Sequence, residues 1–304
     1  NAAPAVLPPR GTPPACAARR CTWTINRANM RWPIAALLLA RRGMPPVMVE
    51  RRSPSAPPLE PSDPTPADDD PIYSADAYLD SRDVTFAGRD AYCACYRAPS
   101  RESKHSRAVV LIVDGDERDA PTARSLAERI ALSCECVALL PRGDGGGARW
   151  EQGRLAQEVL EASTWLNKEH GVEALGLIAH GRAASALLGL LACGAVEAHA
   201  AIAICPSADG DPGELSRAAR EISVPLLSIC GVSPPGDGAR AIDELRAGLA
   251  VNSRLRSDFY VAPFECPAGF MLRPRGEEEG GDADRAASLA VAWLDRYVPE
   301  GLTR

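Results

Sequence analysis

Ala108 to Val113 reads AVVLIV, an apolar run with no polar residue inside it. A strand with one wet face alternates apolar and polar residues. An unbroken run instead marks a strand covered on both sides, and such strands belong to mostly parallel sheets whose crossover helices supply the cover. The segments that follow keep that pattern. Pro121 to Leu132 has apolar residues at helical spacing, and Cys136 to Leu140 reads as a strand stopped by Pro141. Trp150 to His170 is amphipathic and helical, Leu175 to Ala179 a strand, and Ala183 to Cys193 an Ala/Leu-rich helix. Ala200 to Cys205 and Val224 to Cys230 are strands, Ala239 to Ala250 a helix, Phe259 to Phe264 a strand and Asp284 to Tyr297 a closing helix. Ahead of them, Val84-Thr85-Phe86 and Tyr92 to Tyr96 flank Gly88-Arg89-Asp90 as an opening hairpin. Strands alternating with helices predict an α/β domain, a mostly parallel sheet with helices on both faces in a three-layer αβα sandwich.

The rest of the chain differs in composition. Residues 1–52 carry all nine arginines found before Leu59 and a single acid, Glu50. Basic and acid-poor, this extension has the composition of an organelle transit region, plastid or mitochondrial; the alternatives are a signal-type segment starting at Met30 and a disordered extension on a cytoplasmic protein. Residues 53–71 (SPSAPPLEPSDPTPADDDP) are too rich in proline to pair as strands or hold a helix, and read as an acidic linker. The domain is expected over 72–304.

Charge and cysteines exclude several classes. The formal charge of -6 provides no global basic field for nucleic acid. The best apolar run, Trp32 to Ala40, is bounded by Arg31, Arg41 and Arg42 and is about half the length of a membrane span. Ten cysteines include no C-x-x-C pair and no histidine at zinc-finger spacing, and most fall in apolar runs, so buried free thiols are expected rather than disulfides or a metal centre. The acids from Asp114 to Asp119 fail the EF-hand spacing, and the glycines from Gly143 to Gly147 lack the Lys-Ser/Thr ending of a phosphate loop. No cofactor is expected.

The decisive loop is Leu175 to Ser185 (LGLIAHGRAAS), which passes from a buried strand into a helix with almost no connection. That is the geometry of a nucleophile elbow. Here the sequence resembles the dienelactone hydrolase (carboxymethylenebutenolidase-like) family of the α/β-hydrolases, whose elbow reads Gly-x-Cys-x-Gly-Gly, with Ser for Cys in some members. The resemblance runs from about Val84 to Val298 through YRAP at 96–99, AVVLIV, VALLPRGD, the segment FYVAPFECPAGFMLRPRG and the terminal AASLAVAWLDRY. It implies an α/β-hydrolase fold and hydrolysis of lactones or related esters by a nucleophile, a histidine and an aspartate.

Carried over residue by residue, the resemblance leaves those roles vacant. The nucleophile slot is Gly181, the histidine slot is Ala268 and the acid slot is Pro234, with Asp237 nearby. Substitutes are Asp237, His180 and Cys266, the last two as an unorthodox pair. Asp114, Gly115, Arg182, Gly269 and Phe270 are the expected pocket residues, with Arg182 at a helix start suited to a carboxylate. The expectation is a noncatalytic family member with a carboxylate, lactone or ester ligand. The alternatives are an active hydrolase built on Cys266, His180 and Asp237, and an accessory subunit of a protein assembly.

Overall fold

The computed structural model describes residues 78–97, 105–114, 121–142, 152–208, 210–233, 236–255, 258–272 and 280–300, all within the unit Asp68–Arg304. The predicted N-terminal extension and linker lie outside the described residues. Eight strands form one sheet in the order β1-β2-β4-β3-β5-β6-β7-β8: β1 Leu79–Phe86, β2 Arg89–Tyr96, β3 Arg107–Ile112, β4 Val137–Pro141, β5 Ala174–His180, β6 Ala200–Ile204, β7 Leu226–Gly231 and β8 Phe259–Phe264. β1 and β2 form an antiparallel hairpin and β2 also runs antiparallel to β4; every pairing from β4 onward is parallel.

The hairpin is longer than the sequence suggests. Its turn is the dipeptide Ala87-Gly88, with φ of 50° and 75°, and Phe86 pairs directly with Arg89. Two consecutive positive φ values match the twist of the flanking strands, as in the two-residue hairpin turn. Arg89 and Asp90, expected in the turn, therefore begin β2.

Apolar alternation splits the core into two layers. Along β3, Ala108, Val110 and Ile112 face one cluster, and Val109, Leu111 and Val113 face the other. The first cluster is covered by α2 (Gln152–His170), α3 (Arg182–Cys193), α4 (Glu214–Glu221) and α5 (Asp237–Leu249). The second lies under α1 (Pro121–Ser133) and α6 (Gly280–Tyr297). Both faces of the sheet are thus buried, which is why β3 and β5 read as continuous apolar runs. Two ties secure the layers. Arg107, buried at the start of β3, pairs with Asp295 at 3.2 Å and Glu300 at 3.4 Å beyond the sheet. The buried Asn252 amide donates to the Ala219 and Ile222 carbonyls at 2.7 and 2.8 Å and accepts from the Arg254 and Leu255 amides, joining the ends of α4 and α5 with every polar atom satisfied.

Candidate functional site

In an open parallel sheet, ligand sites form beyond the carboxyl ends of the strands. At that edge a single residue, Gly181, joins β5 to α3, with φ 65° and ψ −129°. This backbone mirrors the first corner of a type II turn and suits glycine, because a Cβ there meets the chain. The Gly181 amide donates to the Ile204 carbonyl at 2.9 Å, and the Gly181 carbonyl accepts from the Ala184 amide at 3.1 Å. The sharp strand-to-helix turn expected from LGLIAHGRAAS is therefore present and tied on both sides.

The space inside this turn holds a carboxylate. Asp114, just beyond β3, accepts the Arg182 amide on Oδ2 at 2.6 Å. A Cβ built on Gly181 would stand 2.6 Å from the same oxygen. The Arg182 amide is among the first donors of α3 and has no partner within its helix. In a nucleophile elbow it is also half of the oxyanion hole. Asp114 thus fills the space where a side chain at position 181 would begin and takes the Arg182 amide at the same time. The Arg182 guanidinium adds a loose contact, Nε 3.9 Å from Asp114 Oδ2, with most of its side chain in water. The anion at this helix start belongs to the chain itself.

The loop after β8 carries Ala268. Its neighbour Gly269, at φ 81°, donates its amide to Cys205 Sγ at 3.5 Å. Cys205 follows Ile204 and is held at φ 47°, rare for a residue with a Cβ. The end of β6 therefore binds the elbow through the Ile204 carbonyl and the Ala268 loop through Cys205. In the sequence, the one sign of this role for Cys205 is its place at the end of the apolar run Ala200 to Cys205.

Close packing holds the acid-slot region. A Cβ on Gly231, the last residue of β7, would lie 2.6 Å from both the Cys266 and the Pro267 carbonyl oxygens. The Val232 and Ser233 amides donate to Phe264 and Cys266 at 2.9 and 3.0 Å. Pro234 and Gly115 lie outside the described residues. Asp237 is exposed as the first residue of α5, where its charge complements the helix dipole.

Each substitute residue has surroundings of its own. Buried Cys266 donates its thiol to Asp282 Oδ2 at 3.1 Å, in the first turns of α6. His180 is buried at the end of β5. Phe270, expected at the pocket, is 2% exposed and packs on Phe264 with ring centroids 5.3 Å apart, within the second core cluster. A shallow concavity, lined in part by Tyr260, Phe264, Arg285 and Leu289, lies at the β8 edge and includes none of the expected site residues. Burial pushes the Cys230 thiol on β7 up to about 12, against the opposing effect of its bond to Ser228. At neutral pH it is a protonated, inert thiol.

No family model matches the chain, and no curated protein does. Solved structures do. A dienelactone hydrolase candidate from Klebsiella pneumoniae subsp. pneumoniae is 15% identical with a TM-score of 0.56, over 72% of this chain and 99% of that one. A Pyrococcus furiosus esterase is 14% identical with a TM-score of 0.55, over 80% of this chain and all of that one. A thermostable esterase from Pseudomonas putida is 12% identical with a TM-score of 0.53, over 73% and 83%. The fold is that of the α/β-hydrolases. Among the described residues, no helix is long and apolar enough to cross a membrane.

Proposed function

We propose that this chain is a dienelactone hydrolase relative that does not hydrolyse esters and acts as a binding or accessory protein. The observation that carries the reading is the Asp114 carboxylate on the Arg182 amide, 2.6 Å from where a Gly181 side chain would begin. Ester hydrolysis by this fold needs a nucleophile on the elbow, a base to take its proton and free donors for the oxyanion. Gly181 and Ala268 supply neither of the first two, and Asp114 uses one of the donors. Where a hydrolase loses its triad, binding and the surviving oxyanion donors sustain only about 10³ to 10⁴ over water. With a fixed negative charge at the elbow, repulsion of a second oxyanion lowers that remainder further.

Purified protein is expected to hydrolyse neither aryl esters nor dienelactone above a no-enzyme control. Turnover that Cys266→Ala abolishes would overturn the proposal in favour of the unorthodox Cys266 mechanism. The reverse experiment sharpens it. Gly181→Cys, Ala268→His and Pro234→Asp together should stay inactive while Asp114 is present and gain turnover when Asp114→Ala is added.

A further inference from the structure

The described residues bring one set of metal-donor side chains together, far from the elbow. Cys93 and Cys95 sit two apart on β2 and so project from the same face. That face is covered by α2, whose last residue is His170. The two thiols are 3.4 Å apart, and one ligand atom from each of Cys93, Cys95 and His170 lies within 4.8 Å of the others. Bonds of about 2.3 Å to sulfur and 2.0 to 2.1 Å to nitrogen place the donors of a tetrahedral zinc ion roughly 3.4 to 3.8 Å apart. The cluster therefore needs only side-chain adjustment to close on such an ion.

Three further features fit. Trp165 meets the His170 ring edge-on at 5.3 Å between centroids, which limits how the imidazole turns. The His105 ring lies 6.3 Å from that of His170; two imidazoles on one tetrahedral zinc have centroids roughly 5 to 6 Å apart by the same bond lengths, so a modest side-chain movement brings His105 to the fourth position. Both thiols are buried while His170 is half-buried, which leaves a route for an ion along the imidazole. The cross-strand partners of Cys95 and Cys93 are Asp80 and Arg82. Asp80 is bound to Arg97, and the Arg82 cation is compatible with two thiolates but not with a bare dication, so the thiols must ionise as the ion enters.

We propose that Cys93, Cys95 and His170, with His105 as fourth donor, bind a thiophilic divalent ion of the zinc type. The ion staples the antiparallel β1–β2 hairpin to the end of α2. Two thiolates and two neutral imidazoles around Zn²⁺ carry no net charge, and binding releases two thiol protons. The thiolate–imidazole set favours zinc over magnesium or calcium, which take oxygen ligands.

The test is titration of the reduced full-length chain with Co²⁺, read by thiolate-to-cobalt charge transfer and by the visible bands of tetrahedral Co²⁺, with Zn²⁺ then displacing it. Expected is one tightly held ion per chain, with a raised melting temperature when Zn²⁺ is present. Cys193→Ser, which removes an exposed thiol outside the cluster, should leave the spectrum unchanged. Cys95→Ser should erase it, and His170→Gln should weaken Zn²⁺ binding at least roughly 100-fold, beyond the range seen on losing an outer-shell partner. His170 is only half-buried, so that variant answers the question even if the cysteine variant misfolds. Absence of the thiolate band, equal binding in His170→Gln and the parent chain, or a mass loss showing Cys93 joined to Cys95 would each overturn the proposal.

Discussion

The elbow end of the sheet and the β2–α2 junction are distinctive in opposite ways. At the elbow the backbone is the unusual part: Gly181 alone joins β5 to α3, at φ 65° and ψ −129°, and the Asp114 carboxylate fills the space inside the turn. At the junction nothing in the backbone is unusual, yet two thiols and an imidazole converge. Backbone geometry is written in local sequence, a run of apolar residues, a glycine and a helix start. Side-chain chemistry is written in which residues the topology brings together, and local patterns do not reveal it.

Breaking the backbone of the elbow end should cost most. Gly231→Ala forces a Cβ to 2.6 Å from two carbonyl oxygens of the Cys266–Pro267 segment. Neither is a flexible side chain, so the loop must move. A loss of about 3 kcal/mol is expected, seen as a lower denaturant midpoint at unchanged m-value.

Gly181→Ala should cost less, about 1 to 2 kcal/mol, through strain at positive φ. The new Cβ also displaces the Asp114 carboxylate, the far end of a flexible side chain. Asp114→Ala alone should cost about 1 kcal/mol, the ordinary price of losing an N-terminal cap. Because one group serves both sites, the double variant should lose less than the sum of the singles, a coupling that a double-mutant cycle reads directly. A stabilising Gly181→Ala would mean that the residue is not an elbow.

The gentlest probe leaves the sequence intact. Brief alkylation of the native protein near pH 8 should label Cys193, which is exposed, and spare Cys230, whose buried thiol stays protonated until about 12. Peptide mass mapping checks this. Labelling of Cys230 at a rate near that of Cys193 would show that the end of β7 is far looser than its packing suggests.

Much of the fold was legible because burial leaves a plain record. AVVLIV is covered on both faces and has no polar residue; the elbow was readable because LGLIAH runs straight into a helix. What escaped has physical reasons. α4 went unread because it is short and buries little beyond Leu215 and Ala219. The hairpin turn was misplaced because Ala87, a residue with a Cβ, takes a positive φ that glycine ordinarily marks. Asp114 was an expected pocket residue, but its bond to the elbow is invisible locally because the amide it caps is 68 residues away in sequence. Cys93 and Cys95 read as buried hydrophobes for the same reason, since their histidine arrives from the far end of α2.

The Asp114 carboxylate also changes how this edge of the sheet meets the outside. It is an anionic ligand tethered to its own receptor, present at an effective concentration that no free acid in solution approaches. An external carboxylate competing for the Arg182 amide starts at that disadvantage and must gain its affinity elsewhere. A screen of small acids against the native chain would therefore return silence at this position whatever the site's intrinsic preference, and the same screen against Asp114→Ala would report that preference with the internal competitor removed.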